Sequence, residues 1–225
     1  GKMIERIIKA VKRGNKKRSI NITIGAVVGF LLSCTAVMGA DEYLWIKNDG
    51  GGIKFNTAKT TEFDGTDGTW NEANPYNKNS WDGTTYTNNM TLLSTTNNGK
   101  DNNGIDISYG LRLSGDLGEF EFINKGNIKS DYKAIDFTVT TLSKLINHGN
   151  IGGPDDDNGI DIFGSHIDEL SNNGNISDST EKAIYLHRYS TIKELNNNGN
   201  IDIRYGVYME DSKINNFTNN GNISS

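Results

Sequence analysis

The second half of the chain repeats three short patterns of apolar and polar residues in a fixed order. The first is an alternating tetrapeptide: "GIDI" at 104–107, "AIDF" at 134–137, "GIDI" at 159–162, "AIYL" at 183–186 and "GVYM" at 206–209. Alternation puts both apolar residues of each copy, such as Ile160 and Ile162, on one face, and so predicts a short strand. The second pattern spaces its apolar residues three apart, as in Ile167 and Leu170, which breaks period two and predicts a bend. The third is a polar pentapeptide with one terminal isoleucine: Asn124–Ile128, Asn147–Ile151, Asn172–Ile176, Asn197–Ile201 and Asn219–Ile223. Leu142, Ile167, Ile192 and Ile214 each lie nine residues before a pentapeptide isoleucine. Length varies most in the segment between the pentapeptide and the next alternating strand.

Those isoleucines are 23, 25, 25 and 22 residues apart, a period that marks a solenoid. No segment carries ten or more residues of helical periodicity. The expectation is therefore an all-β fold, a right-handed parallel β-helix with three short strands per coil, each strand pairing with its counterpart about 4.8 Å away in the next coil. Leucine-rich repeats have a similar period, but they need an apolar residue where this chain has Asn147, Asn172, Asn197 and Asn219. The repeat is expected to fill residues 97–225. Residues 41–96 hold all three tryptophans and one of the two prolines, and read as a cap covering the core of the first coil. Within them "YLWIKNDGGGIKF" predicts two strands around a glycine turn.

The pentapeptide reads as a structural corner. Asn and Gly tolerate positive φ, so a sharp turn is expected there, with Gly126, Gly149, Gly174, Gly199 and Gly221 stacked as turn residues. Asn side chains at stacked corners are expected to hydrogen-bond from coil to coil, and the isoleucine to enter the core.

The first forty residues have a different character. Eight basic residues and one acid precede the apolar run Ile22–Ala40, which together form a secretory signal with cleavage expected after Ala40. A membrane anchor is the competing reading of the run. "LLSC" at 31–34 offers another alternative, a surface lipoprotein anchored at Cys34. Removal of the signal leaves 15 basic and 27 acidic residues, net −12, which argues against nucleic acid or an anionic membrane as partner. It also leaves no cysteine, so packing and backbone hydrogen bonds must hold an exported chain together.

Candidate chemistry is sparse. Asp106, Asp136 and Asp161 sit between inward residues and are expected to face solvent, stacked in one column with Tyr185 and Tyr208. Stacked carboxylates would suit Ca²⁺ or a shared proton; the simpler expectation is a solvated acidic face. Asp155 and Asp157 in "PDDDNG" resemble half of a calcium loop without its closing glutamate. His148, His166 and His187 show no metal-binding spacing. Gly50–Gly52 lacks the Lys-Ser/Thr of a phosphate loop. No catalytic group, metal or cofactor is assigned.

The basic-then-apolar leader "KAVKRGNKKRSINITIGAVVGFLLSCTAVMGA" resembles the extended leaders of autotransporter-associated proteins of anaerobic Gram-negative bacteria. The repeat, with "NGNI" at its corner, is similar to the passenger repeats of the same surface proteins. That resemblance implies an exported passenger at the cell surface, in the outer membrane or secreted, acting as an adhesin or display stalk toward a host-cell or matrix receptor. It also implies an outer-membrane β-barrel translocator in a longer form, because no barrel strands are evident here, and hence a fragment or truncated product. A carbohydrate-active β-helix enzyme is the alternative of a different class.

Overall fold

The computed structural model describes residues 42–57, 70–95, 108–152, 158–177, 182–202 and 205–224. The expected signal and its cleavage site at Ala40, Cys34, Asp106, Asp155 and Asp157 all lie outside these residues.

The described residues form strands and no helix. In chain order the strands are β1 (Leu44–Asn48), β2 (Ile53–Asn56), β3 (Ser80–Trp81), β4 (Thr85–Asn88), β5 (Thr91–Ser94), β6 (Tyr109–Asp116), β7 (Glu121–Asn124) and β8 (Asn127–Ser130). They continue with β9 (Lys133–Asn147), β10 (Asn150–Ile151), β11 (Asn158–Phe163), β12 (His166–Asn172) and β13 (Asn175–Ser177). The last six are β14 (Lys182–His187), β15 (Thr191–Asn197), β16 (Asn200–Asp202), β17 (Tyr205–Met209), β18 (Lys213–Asn219) and β19 (Asn222–Ser224).

Strands one coil apart pair in parallel, as a β-solenoid requires. One face stacks β1, β6, the start of β9, β11, β14 and β17. The next stacks β4, β7, the end of β9, β12, β15 and β18. The third is the six-stranded sheet β5-β8-β10-β13-β16-β19. Three strands per coil are thus observed, with one departure: β9 runs unbroken through 15 residues and joins the first two faces into one sheet.

The bend predicted in the second face is present. Ile167 pairs with Ile192 and the next pair is Glu169–Glu194, so the ladder passes over Asp168 and Lys193. That skip lets Ile167 and Leu170, three apart, both reach the core. The core is one narrow column: Ile128, Ile151, Ile176 and Ile201 stack with no exposed surface, beside Ile135, Ile160 and Ile184.

Parallel register begins well before residue 97. Leu44 and Ile46 of β1 pair with Leu111 and Leu113 of β6, and Asn88 and Leu92 align with Asn124 and Ile128. The segment "NNMTL" at 88–92 is therefore a corner without its glycine. The N-terminal end is closed by antiparallel pairing of β2 on β1 and β3 on β4. Its lining is aromatic: Phe55 meets Trp81 edge-on at 5.4 Å, and Tyr86 stacks on Phe122 at 5.5 Å. The glycine turn of the β1–β2 hairpin is held by the Asn48 carboxamide oxygen, which accepts from the amides of Gly50 and Gly52.

The corner between the first two faces carries a ladder with no counterpart in the sequence reading. The amides of Thr140, Ser165 and Ser190 donate to the hydroxyls of Ser165, Ser190 and Ser212, each one coil further on. The residue ahead of this ladder adopts a left-handed backbone: Val139 at φ 47° and its next-coil equivalent Gly164 at φ 56°. Such a φ is costly for a β-branched residue and natural for glycine. Val139 is also mostly exposed, so little packing offsets the strain. Val139→Gly is expected to raise stability by about 1 kcal/mol, read as a higher denaturant midpoint at unchanged slope; a lower midpoint would contradict the strain argument.

Candidate functional site

Each position of the pentapeptide has a distinct job. Its first residue forms a buried amide ladder. Asn88 donates through Nδ2 to Asn124 Oδ1, Asn124 to Asn147, Asn147 to Asn172, Asn172 to Asn197 and Asn197 to Asn219, all at 2.8–2.9 Å. The amide orientation is fixed by the backbone. Asn124 Oδ1 accepts the Gly126 N–H, while its Nδ2 faces the carbonyl oxygens of Gly126 and Asn150. The second and fourth residues form outer ladders of opposite direction: Asn220→Asn198→Asn173, and Asn222→Asn200→Asn175→Asn150→Asn127. The fifth residue is the core isoleucine.

The glycines correct an expectation. Gly126, Gly149, Gly174, Gly199 and Gly221 are not among the positive-φ residues. Their constraint is proximity: a Cβ on Gly174 would run into the carbonyl oxygen of Gly149, and one on Gly199 into that of Gly174. That same oxygen accepts the amide of the following Asn in the next coil, at 2.9 Å for Asn175 onto Gly149. Glycine is needed because backbone sits directly on backbone, a requirement of close approach and not of turn angle.

The residues singled out for chemistry lie on the outside of the first face. One column runs Trp45, Arg112, Asp136, Asp161, Tyr185 and Tyr208. Two expectations fail here. The place before Asp136 belongs to Arg112 and not to Asp106. The 24-residue step from Gly110 to Ala134 fits the period, whereas the 30-residue step from Gly104 does not. And Asp136 and Asp161 point away from the core without meeting solvent: they are 3% and 1% exposed.

Basic side chains from the same column and from its neighbours cover both carboxylates. Arg112 Nε lies 3.2 Å from Asp136 Oδ2, which also accepts from the Thr138 hydroxyl at 2.7 Å. Lys133 Nζ bridges the pair, 3.1 Å from Asp161 Oδ2 and 3.8 Å from Asp136 Oδ1. His187 Nε2 is 2.8 Å from the remaining oxygen of Asp161, a partner that its lack of metal-binding spacing did not reveal. Its ring stacks on Tyr185 at 4.2 Å and meets Phe163 edge-on at 5.1 Å. Arg112 lies over the Trp45 ring at 4.8 Å.

The electrostatics follow from this enclosure. Burial pushes the Asp136 carboxyl above its ordinary value, although Arg112 and Lys133 pull the other way. Burial also works against the charge on Lys133, but Asp161 and Asp136 more than offset it and hold the ammonium above its ordinary 10.5. The stabilisation from Lys133 is therefore intact below about 10.5 and lost as pH climbs through the higher folded value. The oxygens that calcium would need are engaged by cations already, and among the described residues no group of three or more His, Cys, Asp or Glu is placed to hold a metal ion.

Towards the C-terminal end the same face becomes aromatic and open. Tyr205 and Tyr208 are 50% and 38% exposed and meet edge-on at 6.3 Å. Lys182 Nζ lies over the rings of Tyr185 and Tyr208, and Tyr185 donates its hydroxyl hydrogen bond to Glu210 at 2.7 Å. Burial and that acidic partner raise the Tyr185 phenol above its ordinary value. The sequence signal for this arrangement was the outward position of each alternating strand, read for its acids but not for the lysines, arginine and rings beside them.

No protein-family model matches the chain, and neither a curated protein nor a solved structure matches it.

Proposed function

We propose that the chain is a passenger segment of an exported, autotransporter-type surface protein, and that it works by display and adhesion. The observation that carries this reading is the division of labour around the coil. Two corners are tied from level to level by recurring side-chain ladders, one of serines and one of asparagines. The third corner, between β10 and β11, β13 and β14, and β16 and β17, takes most of the variation in length. A rod with an invariant spine and variable loops is suited to hold a contact surface away from a membrane. The open tyrosine face beside Lys182 and Glu210 supplies such a surface, since tyrosine gives large amphipathic contact area at low entropic cost.

The carbohydrate-active alternative finds less support. Asp136 and Asp161 are each neutralised by a cation and covered, whereas an acid/base pair must reach its substrate. The test measures saturable binding of labelled protein to host cells and immobilised matrix components, with a reducing-end assay on acidic polysaccharides alongside. Binding is expected, reduced at least about tenfold by Tyr205→Ser with Tyr208→Ser, as for loss of contact hot spots. Absence of saturable binding would sink the adhesive reading; new reducing ends, abolished by Asp161→Asn in a folded variant, would establish the enzyme.

A further inference from the structure

The corner between the first two faces changes at one level. Within β9 two residues, Val139 and Thr140, lie between Thr138 and Thr141, and between β11 and β12 the two residues Gly164 and Ser165 lie between their partners Phe163 and His166. Between β14 and β15 three residues fill the same place: Arg188, Tyr189 and Ser190, between His187 and Thr191. The next coil returns to the shorter corner, since Met209 and Lys213 pair with Leu186 and Thr191 with one residue fewer between them. The insertion therefore has a stacked coil on both sides and owes nothing to a free edge.

The inserted pair is strained and held in place. Arg188 and Tyr189 are both left-handed, at φ 58° and 61°. Two such residues in succession, neither of them glycine, persist only where their surroundings fix them. Here the His187 carbonyl accepts from the Gly164 N–H at 3.1 Å and from the Ser190 hydroxyl at 2.7 Å, and the Ser190 N–H donates to the Ser212 hydroxyl at 3.0 Å. Packing of the two side chains does not offset the strain: Tyr189 is 76% exposed, and Arg188 is exposed as well. The Arg188 guanidinium lies over the Phe163 ring at 5.9 Å. In a chain with more acids than bases, it makes no ion pair among the described residues. Gly164 places no side chain between this bulge and Val139, which is also exposed. A Cβ on Gly164 would meet only Val139 and the Arg188 carbonyl, each at 3.7 Å, so the corner carries a notch with the bulge as one wall.

We propose that the Arg188–Tyr189 bulge binds a carboxylated sugar, which rests on the adhesive reading above and names a ligand class for it. A guanidinium without an acidic partner matches a carboxylate with two parallel hydrogen bonds. The tyrosine ring beside it offers an apolar face to the C–H side of a pyranose and a hydroxyl at its tip. The fixed backbone holds both groups ready, which lowers the cost of ordering them on binding. A protein partner fits less well: a stable protein interface buries about 800 Å² on each side, far more than the exposed side chains of one corner present. The carboxylate has two sources, a uronic acid within a matrix polysaccharide and a terminal sialic acid on a cell-surface glycan.

The test titrates the full chain with a hyaluronan hexasaccharide and with sialyllactose, which separates the two sources. At least one should bind saturably, and its carboxyl-reduced form should not. Arg188→Gln is expected to weaken binding at least about tenfold, as for loss of charge-assisted hydrogen bonds. Lys193→Gln, which removes an exposed cation from the neighbouring face, should stay within about twofold of the parent. Deletion of Tyr189 together with Arg188→Gly rebuilds the shorter corner that Gly164 makes one coil earlier. That variant should lose the sugar and yet show a higher denaturant midpoint, because the strain leaves with the site. Undiminished binding of the carboxyl-reduced sugar, equal weakening by Lys193→Gln, or a shortened corner that binds like the parent or melts earlier would overturn the proposal. Binding of polyglutamate in place of both sugars would do so too, by making the ligand an acidic peptide. Saturable attachment to cells or matrix with no binding of either sugar would overturn this site alone, whereas loss of both would overturn the adhesive reading with it.

Discussion

Gly174→Val is expected to abolish cooperative folding of the coils around it. A Cβ there overlaps the Gly149 carbonyl and approaches the carbonyl carbon and oxygen of His148, all of them backbone that cannot rotate aside. Relief requires the two coils to separate, which breaks the hydrogen bond from the Asn175 N–H to the Gly149 carbonyl and that from Asn147 Nδ2 to Asn172 Oδ1 together. The cost should exceed about 4 kcal/mol, beyond the range of ordinary substitutions. Because a solenoid is stabilised by nearest-neighbour interfaces, the damage should show as loss of two-state melting and not as a simple shift. A variant that melts in one transition within about 1 kcal/mol of the parent would show that the coils are not in backbone contact at this corner.

Lys133→Met is the second large effect. It leaves the Asp161 and Asp136 carboxylates covered without their shared cation, with Arg112 remaining on Asp136 and His187 on Asp161. Removing one partner of a buried ionic network costs about 3–5 kcal/mol. The pH dependence has a definite sign. The Asp136 carboxyl is already raised in the folded protein, and loss of Lys133 raises it further. Above that folded value the carboxylate is charged in both states and the full penalty applies. As pH falls through the folded value toward the ordinary 3.8, the folded state takes up its proton first and the penalty shrinks. The deficit relative to the parent should therefore be largest near neutrality and decline in acid. A deficit that grows in acid would place the carboxylates in solvent, as the sequence first suggested.

That contrast shows where sequence reasoning reaches. The coil, its three strands and the bend at Asp168 were legible, because each follows from the spacing of residues such as Ile167, Leu170 and Ile176 within one repeat. The amide ladder at Asn147, Asn172 and Asn197 was legible because stacking identical corners puts identical side chains one coil apart. The glycine column was recognised for the wrong reason: composition shows that Gly174 is glycine, but not whether angle or proximity demands it. The covering of Asp136 and Asp161 was not legible. Alternation tells which side of a strand a residue takes, while Arg112, Lys133 and His187 reach these acids from other coils, 24 to 28 residues from the partner they meet across a coil. Nothing local marks Val139 as the residue held at positive φ; only its alignment with Gly164 across the ladder does so.

The stacked register depends most on the first asparagine of each corner, hydrogen-bonded coil to coil inside the solenoid. Side-chain amide hydrogen exchange, followed by heteronuclear NMR, measures this directly. The Nδ2 hydrogens of Asn124, Asn147, Asn172 and Asn197 are buried and doubly engaged, whereas those of Asn173 and Asn198 lie on the exposed outer ladder. The first group should exchange slower than the second by on the order of a thousandfold or more, since exchange from the interior requires opening of the coil. Equal and fast exchange in both groups would contradict the stacked register itself.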